Sequence, residues 1–306
     1  NLIVAHHPIV FKGLKKLTGK NYVERTVIKA IKNNIALFAI HTNLDHVPTG
    51  VNKRIGDLLG IAKPRILRPK EDTLNKLVVF VPSNHVNEVS QALFDAGAGN
   101  IGDYDSCSFR TKGMGTFRGG EDSNPFVGVP GSKHEEEEEM ISVVVPNHLL
   151  GSVVSSLMTV HPYEEPAFDV FPMKNKNPVL GSGMVGDLEA PEAINAFLNR
   201  IKTTFNCGSV RHTEPVKDKV QRIAWCGGAG SFLLHDAKLA GADVFITGDF
   251  KYHEFFDADG ALVIADIGHF ESEQFTKELI LEFLERNFST FAIRLSEVNT
   301  NPIHYL

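Results

Sequence analysis

One order of elements occurs twice in this chain. KLVVFVP (76–82), SNHVNEVSQALFDAG (83–97) and DYDSCSFR (103–110) read as strand, helix and strand, and MISVVVP (140–146), NHLLGSVVSSLMTV (147–160) and EPAFDVFPM (165–173) repeat them. Both leading strands end in proline, and a residue able to cap a helix, Ser83 or Asn147, follows at once. A doubled βαβ of this length predicts a ferredoxin-like βαββαβ α+β domain over residues 75–174. Its linking segment, KGMGTFRGGEDSNPFVGVPGSKHEEEEE (112–139), is long for such a fold, and the glutamate run is expected to be a solvated, partly mobile face.

On either side of the repeat the pattern changes to short apolar runs alternating with amphipathic stretches. Before it come LIVA (2–5), YVERTVIKAIKNN (22–34), IALFAIHTNL (35–44) and GVNKRIGDLLG (50–60). KPRILRPKED (63–72), with two prolines and mixed charge, suggests a linker. After it come APEAINAFLNRIKTTF (190–205), VQRIAWC (220–226), SFLLHDAKLAG (231–241), ADVFITG (242–248), ALVIADIG (261–268) and the long helical ESEQFTKELILEFLERNF (271–288). Continuously apolar strands between helices predict an α/β fold, a mostly parallel sheet with flanking helices. Residues 1–72 and 178–306 are therefore expected to form one domain that the repeat interrupts, and 306 residues suffice for two cores at roughly 100 to 200 each.

A net charge of -6 leaves no basic footprint, which argues against nucleic acid as a partner. No apolar run approaches the roughly 18 residues of a membrane span, and the N-terminus lacks a signal-peptide layout. Cys107, Cys207 and Cys226 stand far apart with no CxxC pair, so neither a disulfide framework nor a thiolate zinc site is indicated, and a cytoplasmic location is expected. Asn1 is not a start methionine and Leu2 already lies in a strand pattern, so an earlier segment is expected to precede it.

Three groups of residues could carry chemistry. LIVA ends on His6 and His7; HTNLDHVPTGVN (41–52), with Asp45, follows a second apolar strand; and ADIGHFESEQ (265–274) turns from a strand into a helix at His269. His269 and Glu273 are four apart, so a helix starting at the histidine puts both on one face. All three groups lie just past the C-terminal end of an expected strand, the edge where open parallel sheets bind ligands. Imidazole and carboxylate without thiolate suit zinc, with iron, manganese or cobalt as alternatives, and five such side chains are about right for two ions sharing a carboxylate.

These stretches carry a resemblance. LIVAHHPIVF, HTNLD with GVN following, CGGAGS (226–231), TGDFKYHE (247–254) and GHFESE (268–273) resemble the successive motifs of the Nif-three-like dinuclear-metal-centre family, known as GTP cyclohydrolase I type two homologues. GMGTFRGGEDSNPFVG (113–128) and HPYEEPAFDV (161–170) are similar to the long bacterial members with a CutA-like or PII-like insertion. The resemblance covers nearly the whole chain. It implies His6, His7, Asp45, His269 and Glu273 as ligands of two divalent metal ions, and a toroidal homohexamer. It also implies an N-terminal strand-helix segment ahead of the HHP motif, in keeping with the earlier segment expected before Asn1. The acidic GSKHEEEEEM departs from the insertion's usual connecting strand.

The expected function is metal-dependent hydrolysis of a small molecule. Opening the imidazole ring of GTP, the activity implied by the resemblance, needs attack by water at C8 and a proton for the departing nitrogen; phosphoester hydrolysis is its neighbour. His253 and Asp249 are the candidates for proton transfer or for supporting a ligand, against surface and helix-capping roles. His41 and His46 flank Asp45 and are weighed as supporting groups. CGGAGS could meet a phosphate but lacks the P-loop lysine, so a tight turn is the simpler reading. HPYEEP could be a second metal site, although a structural corner fits its position better. The alternative function is a non-catalytic hexameric assembly that handles metal or is regulated through its PII-like insertion.

Overall fold

The computed structural model describes residues 1–306. In chain order the elements are β1 (Leu2–Ala5), α1 (Tyr22–Lys32), β2 (Ala36–Ala39), α2 (Thr42–Asp45), α3 (Val51–Leu58), β3 (Ala62–Lys70) and β4 (Leu74–Pro82). There follow α4 (Val86–Asp95), β5 (Ser108–Arg118), β6 (Lys133–Pro146), α5 (Leu150–Val160), β7 (Phe168–Met173), β8 (Asn177–Ala193), α6 (Ile194–Thr204) and β9 (Arg211–His212). The last are β10 (Lys219–Ala229), α7 (Leu234–Leu239), β11 (Val244–Gly248), β12 (Val263–Asp266), α8 (His269–Glu273) and α9 (Thr276–Asn287). The chain folds as two compact units, Asn1–Pro69 with Val179–Leu306, and Lys70–Pro178.

In the first unit a six-stranded sheet runs β3-β8-β10-β11-β12-β9. Strand side chains alternate between faces, and here both faces are buried. Ile223, Trp225, Val244, Ile246, Val263 and Ala265 enter one core cluster, while Ala224, Cys226, Phe245 and Ile264 enter the other. That double burial is why these stretches read as unbroken apolar runs. Trp225 is fully buried, and its indole N–H donates to the Asn52 carbonyl at 2.7 Å, so the ring leaves no polar atom unpaired.

The sheet is mixed, where a mostly parallel one was expected. β10–β11 and β11–β12 are parallel, but β8 and β9 join antiparallel on either side. The sequence reading gave no strand to 177–193, because glycines interrupt its apolar residues. Those glycines are close approaches: a Cβ on Gly186 would sit 2.5 Å from Ile61, and one on Gly181 would sit 2.2 Å from the Arg68 carbonyl oxygen. The supposed linker 63–72 is largely β3, which buries Ile66 and Leu67 beside β8. The long helix expected over 271–288 is broken into α8 and α9.

β1 and β2 form a separate parallel pair, Leu2 opposite Ala36 through Ala5 opposite Ala39. They are not the buried strands expected, since Leu2, Ile3, Leu37 and Phe38 are exposed. The long loop from His7 to α1 is pinned at its end by Glu24. Its carboxylate accepts from the Thr18 N–H at 2.7 Å and the Thr18 hydroxyl at 2.8 Å, while Asn21 caps the helix through the Glu24 N–H at 2.9 Å.

The second unit places its elements in the order β4-α4-β5-β6-α5-β7, with an antiparallel sheet ordered β5-β6-β4-β7. Val79, Val81, Ile141, Val143 and Val145 meet Val89, Leu93, Val153 and Leu157 in one core. Half of the linking segment 112–139 is paired strand. Lys112 lies opposite Glu139, and the pairing continues to Arg118 opposite Lys133. The alternation of a strand turns Glu135 and Glu137 to solvent and Glu138 inward. Gly115 makes room for Glu138, because a Cβ there would stand 2.1 Å from its carboxylate.

Candidate metal centre

Each side chain of the cluster stands where a strand stops. His6 and His7 follow β1. Beyond β2 the chain reverses at His41, whose φ of 43° is left-handed, into α2, which ends on Asp45. Asp249 follows β11 with φ 60°, and His269 opens α8 after β12, at Gly268 with φ 92°. α8 begins at the histidine, so His269 and Glu273 share a face as their spacing requires.

Glu273 is the centre of the arrangement. Its Oε2 lies 3.2 Å from His7 Nε2, 3.2 Å from His269 Nε2 and 3.6 Å from His6 Nε2. His6 Nε2 is in turn 3.5 Å from Asp45 Oδ1, and the Nε2 atoms of His7 and His269 are 3.3 Å apart. The side chains of His6 and Glu273 are 9% and 8% exposed, whereas His7 is 43% exposed, so the cluster is buried on one side and open on the other. Both ring nitrogens of His6, Asp45 Oδ1 and Glu273 Oε2 are buried without a hydrogen-bond partner. Each such atom costs about 1–3 kcal/mol when left unpaired.

The electrostatics follow from the crowding. Burial pushes the Glu273 carboxyl up, but His269, His6 and His7 beside it more than offset that and hold it far below the usual carboxylate range. Glu273, and then Asp249, raise His269 to about 9 against its burial. Burial, opposed by His6, pushes Asp45 up to about 6. His41 packs edge-on to His6 and His7, with ring centroids 5.8 and 5.3 Å away, and burial followed by those two imidazoles lowers it.

The supporting residues divide into those the sequence exposed and those it hid. Asp249 accepts from His269 Nδ1 at 2.6 Å, which fixes the tautomer that leaves Nε2 facing the cluster. His253 stands apart, exposed in the 3-10 turn Tyr252–Ala258 with its ring 5.3 Å from Tyr252. His46 turns away to Ser182, 3.1 Å from its hydroxyl. Two residues that the sequence reading passed over hold the site together. Asn52 donates to the Asp45 carbonyl at 2.9 Å and accepts from the Gly227 N–H at 3.0 Å. Asp266, buried, accepts from the Phe250 N–H at 2.9 Å and the Gly268 N–H at 3.0 Å, and also pairs with Arg211. One carboxylate thereby pins both the Asp249 loop and the His269 turn. The only hint of it was an acidic residue at the end of an otherwise apolar strand.

The glycine turn CGGAGS serves this cluster by its absence of side chains. A Cβ on Gly228, where φ is +64°, would fall 2.4 Å from Glu273 Oε1 and 3.2 Å from His269 Cε1. In the second unit, HPYEEP is a structural corner. His161 engages the Phe80 carbonyl at 3.0 Å through Nε2 and the Tyr163 N–H at 3.1 Å through Nδ1, which leaves neither nitrogen free for an ion.

Fold and cluster define the class: a mixed α/β protein that gathers histidines and carboxylates at the ends of its strands. A family model, Duf34/NIF3 (NGG1p interacting factor 3), matches residues 1–302. The chain is 38% identical over 313 residues to the GTP cyclohydrolase 1 type 2 homolog of Halalkalibacterium halodurans, spanning 100% of this chain and 83% of that protein. It is 34% identical over 312 residues to the GTP cyclohydrolase 1 type 2 homolog of Bacillus subtilis, with shares of 100% and 83%. The solved structure of a Bacillus cereus protein related to NIF3 matches it with a TM-score of 0.84 at 36% identity, over 100% of this chain and 83% of that one. The chain belongs to the Duf34/NIF3 family.

Proposed function

We propose that this chain is a metal-dependent hydrolase whose cluster holds two divalent ions. The observation that carries the reading is the set of buried, unpartnered atoms on His6, Asp45 and Glu273, a cost that a bound cation removes. His6, His7, Asp45, His269 and Glu273 would hold the ions, with Glu273 standing beside the three imidazoles. Mixed imidazole and carboxylate ligation suits zinc, with iron, manganese or cobalt as alternatives. When bound, such ions supply Lewis-acid assistance to attack by water.

This chain's own residues then bind and orient, and Asp249 holds the His269 ring in place. Ring opening of a GTP-type nucleotide is the reaction that the relatives' names support, with phosphoester hydrolysis next to it. Residues 75–174 form a ferredoxin-like, CutA- or PII-like domain inserted into the rest, a reading supported by their element order and antiparallel strand order. The proposal extends to assembly as a homohexamer, the state that the family resemblance implies. No helix is long and apolar enough to cross a membrane, and the proposed location is the cytoplasm.

Elemental analysis of protein loaded with zinc is expected to give two ions per chain, with turnover of GTP or a model phosphoester. Glu273→Gln and Asp45→Asn are expected to lose metal and turnover together. A single ion per chain, or turnover that survives removal of the metal, overturns the assignment.

A further inference from the structure

A recess of about 390 Å³ opens beside the loop that carries Asp249, lined by Arg211, Thr213, Glu214, Tyr252, Phe255 and Phe256 among others. Its volume falls within the roughly 300–1,000 Å³ of small-molecule sites. Both walls are continuations of segments that build the cluster. Asp249 touches His269, and Tyr252 lies three residues further along the same loop. Arg211 pairs in β9 with Asp266 of β12, three residues before His269.

The chemistry of the lining selects its ligand. Tyr252 and Phe256 are 71% and 67% exposed, one helical turn apart, with ring centroids 5.5 Å from each other. Their planes lie 78° apart, so each ring offers its own face, against which a flat ligand can stack. Arg211 lies over Phe255 at 5.3 Å, and its guanidinium already donates to the Phe250 carbonyl at 3.0 Å and pairs with Asp266. Its charge is answered within the chain, so the recess suits a ring rather than a phosphate. Glu214, exposed in the lining, adds a carboxylate that can accept two parallel N–H bonds.

We propose that this recess binds a planar heteroaromatic base with N–H donors on one edge, of the guanine type, and is the base subsite of the small-molecule substrate. As a substrate subsite it rests on the reading of the His6–Glu273 cluster as a hydrolytic centre; as a binding site it does not.

Guanosine, which carries no phosphate, separates the two. Its binding to chelator-treated, metal-free protein can be followed by calorimetry and by ligand-observed NMR, with uridine for comparison. Guanosine is expected to bind in preference to uridine. Phe256→Ala and Tyr252→Ala are each expected to weaken it roughly tenfold, the usual scale for loss of one stacking ring. Glu214→Gln, an isosteric surface change, is expected to erode the preference over uridine with the fold intact. Guanosine bound by metal-free protein with these sensitivities supports the subsite even if the loaded protein turns nothing over, in which case only the hydrolase reading fails. No binding, binding indifferent to all three variants, or Tyr252→Ala and Phe256→Ala altering only the size of the assembly by light scattering, overturns it.

Discussion

At the residue scale, the site depends as much on what is missing as on what is present. The five ligand candidates could be picked out by type and position because imidazoles and carboxylates rarely gather at strand ends without a purpose. Gly228, Asn52 and Asp266 could not, since their roles are contacts between segments far apart in sequence. Gly228→Ala tests the close approach. A left-handed non-glycine residue costs about 1–2 kcal/mol, and its Cβ would displace Glu273. Zinc affinity, read by competition with a chromophoric chelator, is expected to fall roughly tenfold or more with the fold retained. Glu24 carries a pH dependence. Donation from the Thr18 hydroxyl and N–H holds its carboxyl below the ordinary range, against its burial. A depressed carboxyl stabilises above its unfolded value and loses that contribution as pH falls through the folded one. Glu24→Gln is therefore expected to weaken amide protection over residues 18–24 near neutral pH, and the difference from the parent chain is expected to shrink as the pH falls through the depressed folded pKa.

At the scale of elements, the reading succeeded where periodicity was strong and failed where glycine or charge disguised a strand. α1 and α3 fall close to where they were expected, because their apolar residues recur at helical spacing. β8 was invisible, because its glycines are there for close packing and leave too few apolar residues to count. The arms of β5 and β6 carry no hydrophobic signal in their glutamate run, because strand alternation turns every second glutamate to solvent. The inward Glu138 accepts from the Tyr163 hydroxyl at 2.9 Å, and burial of the phenol, followed by that carboxylate, holds it above its ordinary range. Tyr163→Phe leaves the buried carboxylate without its donor. The expected loss is about 1.5–3 kcal/mol in chemical denaturation, the scale for a hydrogen bond to a charged group.

At the scale of the molecule, the two units have separate cores: one around Leu77, Ile141 and Leu157, and a pair of clusters on the two faces of the six-stranded sheet. A ligand that binds only one folded unit stabilises only that unit, by about 2.7 kcal/mol at a hundred times its dissociation constant. Two calorimetric transitions are expected. Zinc is expected to raise the one belonging to residues 1–69 with 179–306, and Tyr163→Phe to lower only the other. The sequence alone determined the repeat and its interruption of an α/β pattern, and it marked the histidines and carboxylates at the strand ends. These are local properties, written in periodicity and residue type. Only the tertiary structure decided that the sheet is mixed, that Glu273 lies at the centre of the cluster, that Asp249 serves His269 while His253 stands aside, and that Asp266 ties two loops together. Each of these is a distance between segments that the chain brings together only by folding, and no pattern along a single segment encodes it.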